Sequence, residues 1–202
     1  MEKQYETNVD SRLLATVRQQ WVERQVERER HYGRYIDDIH QLAAKLPKEM
    51  KEKLPGDILS RLAASLLDGT VFQIVRELEE IQQLKERNLL NRRMKILSKQ
   101  KGRRTELDKR HRVAVHAASA SERATLKLQQ QEEREELDSE LEAETTQCDQ
   151  EIILALDQLL TEQQSTLQRA GVPLMFVTNR SEDIRLQMQV LEWTQRLAAI
   201  GY

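Results

Sequence analysis

Apolar residues return every three or four positions along most of this chain, and the interruptions are short. Tyr32, Tyr35, Ile36, Ile39, Leu42, Ala43 and Leu46 lie on one face of a helix. That spacing predicts a helix over 31–46, ended by Pro47, because the residue before a proline avoids helical angles. Upstream, Leu13, Leu14, Val17 and Trp21 predict a helix over 11–30, with Asp10 or Ser11 as its cap. The stripe then thins into the charged run ERQVERER, so this helix is expected either to fray or to be ordered by a partner. LPKEMKEKLPGD reads as a connector with room for one helical turn. Asp57 is the expected cap of a compact helix carrying Ile58, Leu59, Leu62, Ala63, Leu66 and Leu67.

At Asp68-Gly69-Thr70 one apolar run stops and another begins at once. Gly69 stands where helices end in left-handed geometry, and Thr70 with Gln73 matches a capping box. The segment has no preceding strand, no further glycines and no lysine with which to cradle a phosphate. A joint between helices is therefore expected. The next stripe runs over Val71, Ile74, Val75, Leu78 and Ile81, and continues with drifting register through Leu84, Leu89, Leu90, Met94, Ile96 and Leu97.

A second long helix is predicted over about 121–170, ended by Ala170-Gly171-Val172-Pro173. Its apolar spacing is heptad-like in part, which gives it a coiled-coil flavour. LMFV (174–177) reads as a short apolar plug or extended segment. The last helix starts at Asn179 with Glu182, or at Ser181, and runs to about Ala199. Ile184, Met188, Leu191 and Ala198 line one side of it, and Leu186, Val190, Trp193, Leu197 and Ile200 the other. Apolar on both sides, it needs cover on both sides.

Composition sharpens this picture. Charged residues make up 33% and aromatics 4%, with six glycines and three prolines in 202 residues. Few turns, long helices and narrow apolar seams follow. A net charge of −2 exerts no global pull on nucleic acid or anionic membrane. Cys148 is alone, the first ten residues are polar, and no apolar run reaches membrane-spanning length. The expectation is an intracellular, soluble protein with no membrane contact.

Charge is segregated. Arg92, Arg93, Lys95, Lys99, Lys101, Arg103, Arg104, Lys109, Arg110 and Arg112 crowd one region, and 132–151 is strongly acidic. Three readings compete for the basic run. It can pair with the acidic run across an antiparallel hairpin of 71–112 with 121–170, so that 92–100 faces 132–144. It can serve as a nuclear-import signal, or it can contact phosphates, through Arg92, Arg93, Lys99, Lys101, Arg103 and Arg104. No aromatic interleaves it for base stacking, which favours pairing over nucleic acid. The acidic run is a solvated face without a pocket. His31, His40, His111 and His116 are scattered, and no nucleophile elbow, dinucleotide fingerprint or zinc spacing is present. No catalytic, cofactor or metal site is expected, and the polar stretch Gln163–Leu167 reads as an ordinary helix end.

Two blocks, LAASLLDGTVFQIVRELEEIQQLKERNLLNRR (62–93) and DQEIILALDQLLTEQQSTLQRAGVPLMFVT (149–178) running on to LQMQVLEW (186–193), resemble the DiGeorge syndrome critical region six family, which includes the insect gonadal protein. The resemblance begins near Glu29-Arg30-His31-Tyr32, is weak over 98–145 and reaches residue 202. Residues 1–28 read as an extension outside it. The resemblance implies a helical protein with coiled-coil content, no established enzymatic activity, and developmental or germline roles with nuclear and cytoplasmic placement. It supplies no ligand residues.

The expected architecture is all-α and elongated. It comprises an N-terminal extension (1–30), a small helical cluster (31–67), a long antiparallel hairpin (68–170) with a basic first arm and an acidic second arm, and a C-terminal loop with the two-sided helix (171–202). The expected activity is protein–protein association, as a homodimer or a helical hetero-complex, in a scaffold role. Leu186, Val190, Trp193, Leu197, Val71, Ile74 and Leu78 are the expected contact residues. The alternative is a nuclear regulator touching nucleic acid through 92–112.

Overall fold

The computed structural model describes residues 11–200. Asp10, one of the two expected caps, lies outside the described residues. The described residues form six α-helices and no strand. No single helix among them is long and apolar enough to cross a membrane.

Helix α1 runs unbroken over Ser11–Ala43, so the charged middle continues the helix instead of fraying it. Glu, Arg and Gln lose little rotamer freedom in a helix, which carries it through ERQVERER. Leu46 and Pro47 lead into the short α2 (Lys48–Lys51) and then α3 (Gly56–Ser65). Asp57 does not cap α3. The helix starts at Gly56 behind Pro55, with no side-chain cap bond, and Asp57 lies in the first turn, where its charge favours the helix dipole.

Helix α4 spans Thr70–Ala117 and α5 spans Arg123–Arg169. The joint before α4 is built as a helix end: Gly69 has φ +76°, and the Thr70 N–H donates to Asp68 Oδ1 at 3.0 Å. The expected box is not formed, because the Gln73 amide donates to Glu77 at 2.9 Å instead. Between α4 and α5, Glu122 accepts from both the backbone N–H and the hydroxyl of Ser119, at 3.0 and 2.6 Å. These bonds hold the Glu122 carboxyl below its usual range. Helix α5 ends in a Schellman turn: the Val172 N–H reaches Leu167 O at 3.1 Å, the Gly171 N–H reaches Gln168 O at 3.0 Å, and Gly171 has φ +76°. Val172 and Leu167 are both buried.

Helix α6 spans Ser181–Ile200. Thr178 Oγ1 donates to Asp183 at its start, and Glu182 is drawn to Lys53 at 2.7 Å rather than to Asn179.

The chain divides into two compact units: residues 1–77 with 163–202, and 78–162. The divisions fall inside α4 and α5, whereas the sequence places boundaries at Asp68 and Gly171. In the first unit, α3 and α6 pack on the second half of α1. Its core holds Tyr35, Ile39, Leu59, Leu62, Leu66, Val71, Val75, Leu186, Val190, Trp193 and Leu197. In the second unit the arms of α4 and α5 run antiparallel around Leu107, Leu141 and Cys148, which are buried.

Candidate interaction surfaces

Among the described residues, the first half of α1 carries the largest run of uncovered apolar side chains. Leu13, Leu14, Val17, Trp21, Val22 and Val26 are each 48–59% exposed. Local bonds hold this stretch, such as Gln19 Nε2 to Glu23 at 3.0 Å and Arg24 Nε to Gln20 O at 3.2 Å. Leu14, Ala15, Val17, Arg18 and Trp21 line a shallow apolar depression on it. An exposed Leu needs no explanation, but an exposed Trp within a contiguous apolar stripe marks a contact surface.

The residues expected to make contacts lie elsewhere. Leu186, Val190, Trp193 and Leu197 are buried in the first unit, as is Val71, while Ile74 and Leu78 are half-buried. The four positions on α6 form its inward side and have no surface to offer a partner. The opposite side is outward, with Met188 64% exposed and Ile184 and Leu191 half-covered. Packing against α1 decides which stripe turns in, and that information is absent from α6 itself.

The basic arm meets carboxylates. Arg92 pairs with Glu151, and Arg93 makes a two-pronged pair with Asp149 at 2.6 and 3.0 Å. Lys99 meets Glu144 at 3.8 Å, Arg103 meets Glu140 at 2.5 Å, Arg104 meets Asp138 at 2.8 Å, and Arg134 meets Asp108 at 3.4 Å. His111 Nε2 lies 2.8 Å from Glu133. Within the ladder, buried Gln100 donates to Leu141 O at 2.9 Å and to Thr145 Oγ1 at 3.0 Å, and buried Gln130 donates to His111 O at 2.9 Å. Hydrogen bonding from Arg93 holds the Asp149 carboxyl below its usual range, and bonding to His111 does the same for Glu133.

The register differs from expectation. Residues 92–99 face 144–151, whereas the sequence set 92–100 against 132–144. Helix α4 continues to Ala117 instead of stopping near 112, and the turn moves with it. Of the six residues offered for phosphate contact or nuclear import, Arg92, Arg93, Lys99, Arg103 and Arg104 carry carboxylate partners, and Lys101 has no ion pair among the described residues. At five of the six a phosphate would compete with an internal carboxylate.

A third feature was not legible as a site. Gln164 and Gln187, both buried, clamp the segment between α5 and α6. Gln164 Nε2 donates to Thr178 O at 3.1 Å and to Gln187 Oε1 at 2.9 Å, while its Oε1 accepts the Thr178 N–H at 3.2 Å. Gln187 Nε2 donates to Leu174 O at 3.1 Å and Phe176 O at 2.9 Å. Leu174 takes φ +67°, a strained choice for leucine that the clamp holds in place. Gln164 belongs to the polar stretch Gln163–Leu167 that the sequence reads as an ordinary helix end, and it lies on the stripe between Leu160 and Leu167.

A cavity of about 550 Å³ opens at the helix joint, lined by His31, Tyr35, Asp68, Phe72, Arg76 and Leu197 among others. Tyr35 and Phe72 meet edge to face at 5.8 Å, and burial raises the Tyr35 pKa. Asp68 is spent on capping α4. Among the described residues, no group of three or more His, Cys, Asp or Glu side chains could hold a metal ion.

Comparison with known proteins places this architecture. The family described as DiGeorge syndrome critical region 6 (DGCR6) protein matches residues 11–202. The match takes in 11–28, which the sequence reading had left outside the resemblance. Protein DGCR6 of Gallus gallus is 39% identical over 171 residues, covering 85% of this chain and 85% of that protein. Gonadal protein gdl of Drosophila melanogaster is 30% identical over 171 residues, covering 83% of this chain and 79% of that protein. Neither name denotes an enzyme. No solved structure matches the chain. The chain belongs to the DiGeorge syndrome critical region 6 (DGCR6) protein family.

Proposed function

We propose that this is a non-enzymatic association protein that engages a helical partner through the exposed face of α1. The observation carrying this reading is the run Leu13, Leu14, Val17, Trp21, Val22 and Val26, uncovered on a well-formed helix. Covering such a face releases water from apolar surface, and an amphipathic helix is the partner geometry that repeats its three- and four-residue spacing. The relatives' names support a developmental or germline setting for that association. The internal carboxylates opposite 92–104 weigh against the nucleic-acid alternative.

The test is proximity labelling in gonadal tissue, comparing the natural chain with Val17→Asp/Trp21→Asp. Both substitutions sit on exposed positions, so the fold should survive, as circular dichroism will show. The reading expects a set of neighbours that depends on the α1 face. An unchanged set in the folded variant would refute it.

A further inference from the structure

We infer that the partner of the α1 face is a second copy of this chain, with the two α1 helices packed antiparallel. The inference rests on the association reading above and adds the identity and direction of the occupant.

The face has a pattern that matches itself when reversed. Leu14, Val17, Trp21 and Arg24 follow at steps of three, four and three, so they share one side of α1. An antiparallel pair centred between Val17 and Trp21 sets each large indole on the other copy's smaller Val17. The same register lays the aliphatic stem of each Arg24 over the other copy's Leu14, with its guanidinium reaching solvent at the edge. Arg18, which lines the depression beside Trp21, comes within reach of the partner's indole face. Each contact occurs twice, as a two-fold interface requires. A parallel pair would instead stack Arg24 on Arg24 and, one turn on, Arg28 on Arg28, setting like charges against each other along the seam.

Area sets the expected strength. Leu14, Val17 and Trp21, 51–59% exposed, form with the Arg24 stem a seam of four side chains, too short to bury the roughly 1,200–2,000 Å² of stable complexes. The contact is therefore a reversible monomer–dimer equilibrium rather than an obligate dimer. Trp21, at the centre and flanked by the other apolar residues, is the expected hot spot.

Sedimentation equilibrium of the full chain tests this. The inference expects dimerisation with a dissociation constant on the order of 1–100 μM. Trp21→Asp should weaken it at least tenfold with helicity unchanged, while Met188→Asp, on the outward side of α6, leaves it alone. Direction is read by mixing two single-cysteine chains, Val17→Cys and Trp21→Cys, each also carrying Cys148→Ser. Oxidation should link 17 to 21 between copies. A natural chain that stays monomeric at about 200 μM, a dimer indifferent to Trp21→Asp, or links of 17 to 17 and 21 to 21 alone would each overturn it. A monomeric chain whose labelled neighbours still depend on the α1 face would leave the association reading standing and remove only the second copy.

Discussion

Replacing Gln164 by alanine isolates the glutamine clamp. The substitution orphans three groups: the Thr178 N–H, the Thr178 carbonyl and the Gln187 side-chain oxygen. A buried group left without its partner costs about 1–3 kcal/mol. Thr178 is half-buried, so water can recover part of the loss there, whereas Gln187 is 4% exposed and its side-chain oxygen loses its partner outright. Adding the volume lost by truncating a buried side chain, the expected destabilisation is about 3 kcal/mol, roughly 150-fold in the folding equilibrium. Urea unfolding followed by tryptophan fluorescence reads it. Trp193 is buried in the same unit, and a Trp21→Phe background silences the exposed indole. Gln164→Leu keeps the volume and removes the bonds, so it should lose most of the same stability. Gln168→Ala, exposed on the same helix, should cost under about 0.5 kcal/mol. A loss below about 1 kcal/mol in both Gln164 variants would show that the clamp does not hold the segment.

Leu141 is fully buried between the arms of the second unit, so Leu141→Ala should cost about 2–5 kcal/mol in a circular-dichroism melt. A loss below about 1 kcal/mol would show that the arms do not pack there. The carboxyls of Glu133, Asp149, Glu182 and Glu122 are held low mainly by hydrogen bonds to His111, Arg93, Lys53 and Ser119 respectively. Folding lowers each pKa, so the unfolded chain binds more protons between the folded and unfolded values, and stability rises with pH across that window. The contribution is intact above the unfolded values near 4 and fades as pH falls through the folded ones. The urea midpoint should therefore fall between about pH 6 and about pH 3, and an unchanged midpoint would contradict the pairings.

The three-and-four spacing announced every helix of ordinary length, and the joint at Gly69 was legible because few residues other than glycine tolerate its positive φ. Caps were read less well. Thr70 with Gln73 and Asn179 with Glu182 have suitable residue types, but Glu77 and Lys53 compete for the same side chains and win. Only a folded chain reveals those competitors. The two apolar sides of α6 are equally visible in the sequence, and nothing local to that helix ranks them. Burial of the Leu186 side depends on packing against α1, which the sequence of α6 does not show. The exposed α1 residues read as a stripe that either frays or is ordered by a partner, and the charged run after them hides that the helix continues unbroken. The glutamine clamp joins residues 23 positions apart through the turn between them, a pairing that no periodicity encodes.

Hydrogen exchange followed at increasing protein concentration tests the central claim most directly. If the α1 face is a contact surface, amides of 13–26 should become markedly better protected as concentration rises or a partner is added, while those of 31–43, already packed in the first unit, stay constant. Exchange over 13–26 that is independent of concentration and of every added partner would mean that this apolar face meets only water.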